Sequence, residues 1–136
     1  MAVLFIDLDG LKQLNDTYGH EVGDTAVKAT AEALLEATRH CDVVGRLGGD
    51  EFLVVLCHDH SSDGPAIAIR INESLSHRSL SVKNIVVPLR ASVGAALARC
   101  DAHTDPMTLV RQADATMYQA KRSARATRDQ LAANAG

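Results

Sequence analysis

Two glycines followed by two carboxylates form the stretch of this sequence best suited to chemistry. Gly48-Gly49-Asp50-Glu51 lies between strand-forming runs at residues 43–47 and 52–56, so the glycine pair is predicted to be the tight turn of a β-hairpin. Glycine adopts the positive φ that such a turn requires. Carboxylates beside accessible glycine backbone suit a metal and phosphate site. The same letters also make ordinary surface hairpins, so the turn alone leaves both interpretations open.

A second acidic stretch follows the apolar run that begins the chain. Residues 2–8 are apolar except for Asp7, which predicts a strand covered on both faces with Asp7 at the sheet edge facing solvent. Asp7 and Asp9 are two residues apart and could share one face. For Asp9 we favour the N-cap of the next helix, marked by Leu11 and Leu14, over metal binding, because Asp is strongly preferred at that position.

Helical spacing predicts three further helices. Residues 17–24 contain two glycines and are predicted to be a loop, after which Asp24 caps a helix over 25–38. Pro65 suits the N-terminus of a short helix, and Pro106 begins the last one. The side chains expected on the buried faces are Val27, Leu34, Leu35, Ile67, Ile71, Leu75, Val110, Ala113, Met117 and Ala120.

The order of elements predicts the fold class. Residues 76–84 are predicted to be a polar connection, and residues 85–97 one long strand in which Pro88 and Gly94 indicate an edge, a bulge or a bend. The order is then β-α-α-β-β-α-β-α over a single domain, residues 1–136. A hairpin within alternating strands and helices favours an α/β (α+β) sandwich with a mixed sheet, near the split-βαβ arrangement.

Composition argues against several classes of partner. The net charge is -3 and the isoelectric point about 6.0, so neither a nucleic-acid groove nor contact with an anionic membrane is expected. No stretch has the length of a membrane span or the features of a signal peptide. We therefore expect a cytoplasmic domain, in which the positive charge for any anionic substrate comes from metal or a few placed cations.

The cysteines and nearby histidines suggest little chemistry at this stage. Cys41, Cys57 and Cys100 are odd in number and scattered, and two of them have apolar neighbours in the sequence, which favours reduced thiols over a disulfide framework. His58 and His60 next to Cys57 hint at a transition-metal site. Because no fourth ligand follows at a zinc-like spacing, that interpretation is the weaker one.

Two motifs together resemble a known family. Residues 48–52, GGDEF, and residues 5–20, FIDLDGLKQLNDTYGH, are similar in order and spacing to the signature and the first strand and helix of GGDEF domains. The resemblance extends from about residue 3 to about residue 125. It implies a ferredoxin-like palm, related to nucleotidyl cyclases and polymerases, in which helices flank a mixed, mostly antiparallel sheet and the hairpin forms part of the active site.

The resemblance also implies a reaction. Members of the family are diguanylate cyclases, which join two GTP molecules into cyclic di-GMP and release two pyrophosphates. Such phosphoryl transfer depends on positioning and charge neutralisation, and two Mg²⁺ or Mn²⁺ ions per GTP site are implied. The implied metal ligands are Asp7, the Leu8 carbonyl and Asp50. The implied catalytic residues are Asp50, Glu51 and Lys12, although for Glu51 contact with metal is left open.

Further residues match positions that bind the nucleotide in the family. Asn15 and Asp24 correspond to residues that recognise guanine, which favours GTP over ATP. The phosphate-binding positions are Lys12, Gly48, Gly49, Lys121 and Arg125. Lys121 and Arg125 lie four apart and so share one helix face, although a solvated basic helix end would explain them equally.

An inhibitory site for the product is also implied. Arg39 and Asp42 form an Arg-x-x-Asp sequence that ends five residues before the glycine pair, and this is the position of the product-binding motif in the family. Arg70 is a secondary candidate contact. Without the resemblance, an Arg and an Asp three apart in a linker would be taken for solvated charges. We therefore expect product inhibition by cyclic di-GMP.

The resemblance implies a second domain and leaves an alternative function. One domain holds one GTP, so catalysis is expected to need two domains facing each other as a homodimer. The helix that usually precedes the first strand in the family has no counterpart here, and residues 124–128 replace its usual closing sequence. We therefore expect a piece of a larger regulated protein, with weak activity when isolated. The alternatives are a silent module that senses GTP or cyclic di-GMP and, more remotely, an adenylyl-cyclase-like palm.

Overall fold

The computed structural model describes residues 1–57, 64–98 and 105–136. These residues form six strands and four helices. In chain order they are β1 (Ala2–Leu8), α1 (Leu11–Tyr18), α2 (His20–Ala37), β2 (Val43–Gly48), β3 (Glu51–Leu56), α3 (Gly64–Ser76), β4 (Leu80–Val82), β5 (Ile85–Val87), β6 (Ala91–Leu97) and α4 (Pro106–Asn134). None of the described helices is both long enough and apolar enough to cross a membrane.

A four-stranded sheet organises the domain, with the strand order β2-β3-β1-β6. Each of its three pairings is antiparallel. β1 lies inside the sheet and all seven of its residues are buried, as its apolar run predicted. With helices packed on both faces, the predicted α+β sandwich with a mostly antiparallel sheet is confirmed. The described strands form no parallel pair, so the expected mixed character of the sheet is not found among them.

The alternation of side chains along β1 divides the core into two layers. Leu4 and Ile6 point into the larger cluster, which includes residues of α2 and α3. Val3 and Phe5 point to the other face, where they pack with residues of α4 such as Met117. Because successive side chains of a strand alternate, Asp7 belongs to the face that α4 covers. The alternation of side chains along β1 therefore determines which helix can supply a partner for the Asp7 carboxylate.

The buried faces of the helices follow the predicted spacing with three exceptions. Most of the expected side chains are buried, and these are Val27, Leu34, Ile67, Ile71, Leu75, Ala113 and Met117. Leu35 is 63% exposed, because it follows Leu34 directly and so lies about 100° away around the helix. In α4 the buried line is Leu109, Ala113 and Met117, so Val110 is only partly buried and Ala120 is exposed.

Both predicted aspartate caps are wrong. The N-cap of α1 is Gly10, at φ 76°, without a side-chain hydrogen bond, and the Asp9 carboxylate instead accepts a bond of 2.8 Å from Ser92 Oγ. α2 begins at His20, directly after Gly19 at φ 93°. The positive φ of Gly19 changes the direction of the chain within one residue. The second helix therefore includes residues 20–24, and Asp24 lies inside it instead of capping it.

The predicted polar connection and long strand are also wrong. Residues 80–87 form a separate two-stranded hairpin, β4 and β5, whose turn residues Lys83 and Asn84 have φ 48° and 67°. Positive φ at both central residues is typical of a type I′ turn. Pro88 follows β5 and has no amide hydrogen to donate, so the strand ends there and β6 begins at Ala91.

Gly94 marks a close approach of a helix and not the predicted bend or bulge, whereas the predicted edge position is confirmed, since β6 is the last strand of the described sheet. It lies within the regular ladder of β6, opposite Phe5. A Cβ at this position would lie 2.1 Å from both the Ala113 carbonyl oxygen and the Met117 nitrogen. α4 therefore packs its backbone directly against β6, and only glycine leaves room for that contact.

Candidate active site

The hairpin between β2 and β3 turns one residue later than predicted. Gly48 pairs with Glu51, so Gly49, at φ 52°, and Asp50 form the turn. The Arg46 guanidinium donates two hydrogen bonds to the Gly49 carbonyl, of 3.2 Å from Nε and 2.7 Å from Nη2. The role of Arg46 in closing the turn was not predicted from the sequence, in which its position near the end of a strand was the only available signal.

The hairpin is fixed to the end of β1, which brings the two acidic motifs together. The Leu8 amide donates a hydrogen bond of 2.9 Å to the Asp50 carbonyl. In the ladder between β1 and β3, Asp7 lies opposite Glu51. Residues far apart in the chain therefore meet at one edge of the sheet. Asp7 itself is buried, not solvent-facing as predicted, since its side chain is only 9% exposed.

An ion pair with α4 holds the Asp7 carboxylate. Lys121 Nζ donates a hydrogen bond of 2.6 Å to Asp7 Oδ1. Burial raises the pKa of Asp7, the bond from Lys121 opposes that rise, and the charges of Asp50 and Asp9 reinforce it, so the pKa lies above its ordinary value. Burial would lower the pKa of Lys121, but the bond to Asp7 and the surrounding negative charges raise it overall.

The donors at this edge are chemically suited to a hard divalent cation. Asp7, Asp9 and Asp50 lie near enough that the negative charges of the last two affect the titration of the first, and Lys121 is the cation paired with Asp7. Carboxylate and carbonyl oxygens are the ligands that Mg²⁺ prefers. Within residues 1–57, 64–98 and 105–136, no group of three or more His, Cys, Asp or Glu side chains is arranged to hold a metal ion. A cation here would therefore depend on two carboxylates together with backbone oxygen.

The facing helices α1 and α2 create a second polar position. Asn15 Oδ1 is buried and has no hydrogen-bond partner among the described residues. A Cβ added at Gly23 would lie 1.7 Å from that oxygen, so the absence of a side chain at Gly23 is what admits the amide. From the sequence, Gly23 was interpreted only as a loop residue. Its role in packing depends on the contact between the two helices.

A cavity of about 580 Å³ lies between α2 and the hairpin strands. Asp24, exposed on α2, contributes to its wall together with Lys28, Arg46 and Phe52. The volume falls within the range of small-molecule sites. The cavity thus has a carboxylate on the helix side and a guanidinium on the hairpin side.

Lys12 and Arg125, also expected to bind phosphate, are exposed on helices. The alternative of a solvated basic helix end for Lys121 and Arg125 is wrong, because α4 continues to Asn134 and Lys121 pairs with Asp7. Lys12 is the second residue of α1, and Arg125 lies one turn beyond Lys121 in α4. Among the residues singled out from the sequence, the sheet edge therefore gathers Asp7, Leu8, Asp50, Glu51 and Lys121. Asn15 and Asp24 belong to the adjoining helix pair.

The Arg-x-x-Asp segment forms a closed turn between α2 and β2. The Asp42 carboxylate accepts hydrogen bonds from the Arg39 amide, at 2.8 Å, and from the Cys57 amide, at 3.1 Å. The interpretation of Asp42 as a merely solvated charge is therefore wrong. Arg70 lies on α3, where it lines a second cavity, of about 560 Å³, together with Glu36 and Arg78.

An ion-pair network that the sequence did not indicate lies beside that second cavity. Arg78 pairs with Glu32 at 2.9 Å and also with Glu36, and Ser74 donates a hydrogen bond of 3.0 Å to Glu36. The hydrogen bonds from Arg78 and Ser74 hold the pKa of Glu36 below its ordinary value. The network joins the end of α2 to the end of α3 across the surface.

Replacing Asp7 should reveal by how much its buried charge lowers the free energy of unfolding. Because its pKa is raised above the ordinary 3.8, the native state binds this proton more tightly than the unfolded chain does. Stability therefore falls as the pH rises from 3.8 through the raised pKa. Without divalent cations, Asp7→Asn should raise the thermal midpoint at pH 7 by about 2–4 °C, and the gain should shrink toward acid pH.

Thermal unfolding followed by circular dichroism measures this difference. Asp129→Asn is the matched control, since it removes an exposed carboxylate near the C-terminal end of α4 and should leave the midpoint unchanged. Lys121 is 41% exposed, so water can solvate its ammonium in Asp7→Asn. A midpoint below that of the unmodified protein at pH 7 would show that the ion pair outweighs burial, contrary to this assignment.

Comparison with known proteins gives a family for the whole fold. Residues 1–127 match the family described as "Diguanylate cyclase, GGDEF domain". Diguanylate cyclase A of Treponema denticola is 32% identical over 125 residues, which are 92% of this chain and 33% of that protein. Diguanylate cyclase DosC of Escherichia coli K12 is 36% identical over 126 residues, which are 92% of this chain and 27% of that protein. The chain thus spans a third or less of these relatives.

Solved structures agree with that result. The GGDEF domain of YfiN (TpbB) from Pseudomonas aeruginosa is 40% identical with a TM-score of 0.80, and the match covers 90% of this chain and 76% of that one. The GGDEF domain of DgcB from Caulobacter crescentus, solved in complex with c-di-GMP, is 25% identical with a TM-score of 0.82, covering 90% and 72%. The fold is the palm of these cyclase domains, and the chain belongs to the GGDEF family.

Proposed function

We propose that this domain condenses two GTP molecules into cyclic di-GMP and releases two pyrophosphates. One observation carries the proposal: Asp7 and Asp50 meet at one edge of the sheet, where the Leu8 amide binds the Asp50 carbonyl at 2.9 Å. Membership of the GGDEF family and the names of the relatives support the same reaction. The tetra-anionic substrate fits a site whose chemistry is charge neutralisation.

The metal ligands in this proposal are Asp7, the Leu8 carbonyl and Asp50, which would hold two Mg²⁺ or Mn²⁺ ions per GTP. When bound, the two ions would activate the attacking 3′-hydroxyl and neutralise the triphosphate. The buried β1 strand keeps Asp7 in place, and the turn braced by Arg46 fixes the backbone at Asp50. Glu51, opposite Asp7 in the ladder, supports the site as a catalytic residue.

Cationic side chains on two helices are proposed to hold the phosphates. Lys12 at the start of α1 would stabilise charge at the β- and γ-phosphates, and Lys121 and Arg125 share one face of α4. Lys121 would exchange its bond with Asp7 for a phosphate oxygen, and its 41% exposure leaves the ammonium accessible for that exchange. Gly48 and Gly49 carry no side chain, so the triphosphate can approach their backbone.

Guanine recognition is proposed for Asn15 and Asp24. A carboxylate can accept hydrogen bonds from guanine N1 and N2, and an amide can both donate to and accept from a base edge. The unpartnered Asn15 oxygen and the position of Asp24 in the cavity wall support this assignment. Adenine lacks that pair of donors, so the site should prefer GTP.

Bond formation between two nucleotides requires two sites, so we propose that catalysis takes place in a homodimer with the sites facing each other. Each domain would supply one GTP and the residues that orient it. The isolated domain should therefore gain activity as its concentration rises. Because GTP is the substrate, we place the reaction in the cytoplasm, the compartment that supplies this nucleotide.

The turn at Arg39 and Asp42 is proposed to bind the product and inhibit the enzyme, with Arg70 as a secondary contact. Two backbone amides donate hydrogen bonds to the Asp42 carboxylate, so the turn is already closed before any ligand arrives. A guanidinium can bind phosphate in bidentate fashion and stack on a base, which suits a guanine dinucleotide. The relative DgcB was solved in complex with c-di-GMP, which supports a binding role in the family.

Cyclisation of GTP tests the central proposal. Concentrated protein incubated with GTP and Mg²⁺ should form cyclic di-GMP, resolved by chromatography, and Asp50→Asn should reduce the rate by at least about 100-fold because charge stabilisation is lost. Asp114→Asn, an exposed carboxylate on α4, is the matched control. Bound but unconverted GTP at every concentration would favour the silent sensing module instead, and full activity in Asp50→Asn would refute the assigned role.

Gly23→Ala tests guanine recognition without touching the proposed contact residue. The new methyl group would displace the tip of the Asn15 side chain, while alanine favours the helix, so folding should be preserved. Affinity for GTP should fall about tenfold, the equivalent of one hydrogen bond, and affinity for ATP should change less.

Combining substitutions makes the test specific. If Gly23→Ala acts only by displacing the amide, then adding it to Asn15→Ala should produce no further loss of GTP affinity. Equilibrium dialysis with both nucleotides measures this. Losses that multiply in the double variant would show that Asn15 does not read the base through this arrangement.

Arg39→Ala tests the inhibitory site. In calorimetry, the variant should bind cyclic di-GMP at least about tenfold more weakly, since a charged hydrogen-bond donor is removed, while its GTP affinity stays the same. Arg122→Ala, which removes an exposed guanidinium from α4, is the control. An unchanged affinity for cyclic di-GMP in Arg39→Ala would rule out the assigned role.

A further inference from the structure

Two cysteines that are distant in sequence lie at the same end of the hairpin. Cys41 is in the turn that precedes β2, and Cys57 directly follows the last residue of β3. Both are free thiols exposed at the surface, as the expectation of reduced cysteines requires, although apolar sequence neighbours had been noted for two of the three cysteines. Cys100, and the suggested metal ligands His58 and His60, lie outside the described residues.

One carboxylate oxygen touches both cysteines. Asp42 Oδ1 accepts a hydrogen bond of 3.1 Å from the Cys57 amide, and the Cys41 sulfur lies 3.9 Å from the same oxygen. These two distances together place the Cys41 sulfur within about 7 Å of the Cys57 nitrogen. A separation of that size is compatible with disulfide geometry, in which the Cα atoms lie about 4.4–6.8 Å apart.

The strand register leads to the same end of the hairpin. β2 and β3 pair Arg46 with Phe52 and, at the outer end, Val43 with Val55. The ladder ends at that pair, and Cys41 and Cys57 each lie two residues beyond it at the same end of the hairpin, Cys41 within a turn. Opposed residues of antiparallel strands have Cα atoms about 4.5 or 5.5 Å apart, and the Cα separation in disulfides is usually about 4.4–6.8 Å. The last ladder pair therefore sets the two chains at a spacing that suits a disulfide just where the cysteines follow.

We propose that Cys41 and Cys57 are a modification site that forms a reversible disulfide on exposure to a hydroperoxide. One thiolate attacks the peroxide oxygen to give a sulfenic acid, and the other peroxide oxygen leaves as water or alcohol. The second thiol then displaces the sulfenic hydroxyl as water, which leaves the disulfide. A dithiol reductant returns both thiols by exchange and is itself oxidised to its disulfide. In a cytoplasmic protein such bonds are typically transient and redox-sensing.

The bond would staple the open end of the hairpin. It would connect the turn before β2 to the residue after β3. At this end of the hairpin the Asp42 carboxylate already accepts hydrogen bonds from the Arg39 and Cys57 amides. Opening of this end by thermal motion would then be restricted, and the cross-link would reduce the freedom of the unfolded chain as well. Oxidation should therefore stabilise the fold measurably.

Peptide mapping of the full chain after treatment with hydrogen peroxide tests the proposal. After alkylation and digestion with trypsin, residues 40–46 and 47–70 should be recovered as one joined species, lighter by two hydrogen atoms than the two reduced peptides. The intact protein should keep a monomeric mass. Its thermal midpoint should rise by at least about 5 °C and return to the starting value with dithiothreitol.

Serine variants separate the three cysteines. Cys100→Ser should retain both the joined peptides and the rise in midpoint, whereas Cys41→Ser and Cys57→Ser should each lose both. Four results would overturn the proposal: cross-linking mainly to residues 100–111, dimers linked between chains, sulfinic acid without any cross-link, or the same cross-link formed as fast in urea. The last would show that the chain, and not the fold, brings the thiols together.

Discussion

The carboxylate of Asp7 carries a charge where burial disfavours it, and much of the domain is arranged around that constraint. Asp7 lies in β1, a strand whose residues are all buried. Because side chains alternate along the strand, Asp7 points to the same face as Val3 and Phe5, which α4 covers. Lys121 of that helix supplies the counter-charge at 2.6 Å. The ion pair only partly offsets burial, since the pKa of Asp7 remains raised. A buried carboxylate whose negative charge is only partly offset can bind a cation favourably. The loss of folding stability that the buried charge causes is typical of functional sites.

Backbone contacts set the rest of the geometry. The bond from the Leu8 amide to the Asp50 carbonyl fixes the hairpin against β1, and Arg46 closes the turn from the other side. On the adjoining helices, Gly23 leaves the space that the Asn15 amide fills. The proposed metal and guanine positions thus depend on residues that would not contact either ligand. Such support keeps functional groups in place without using the groups themselves.

Periodicity and motif order predicted most of the sheet and the buried faces, but not the features that depend on tertiary contact. β1 and the hairpin were found because their apolar runs are bounded by clear signals, and α3 because Ile67, Ile71 and Leu75 share one face. The caps at Asp9 and Asp24 failed, because Gly10 and Gly19 begin the helices through positive φ. The packing roles of Gly23 and Gly94 could not be predicted, because each is defined by atoms of a separate helix that only the tertiary fold brings close. The chemical roles of the site residues remain predictions.

Crystals of the protein grown with a non-hydrolysable GTP analogue and Mn²⁺ would test the shared cation site most directly. Anomalous scattering locates manganese without assumptions about its ligands. We expect a peak bonded to carboxylate oxygens of both Asp7 and Asp50, with Lys121 turned from Asp7 toward a phosphate. A bound nucleotide whose manganese contacts neither carboxylate, with the Asp7–Lys121 ion pair still intact, would contradict the proposed active site.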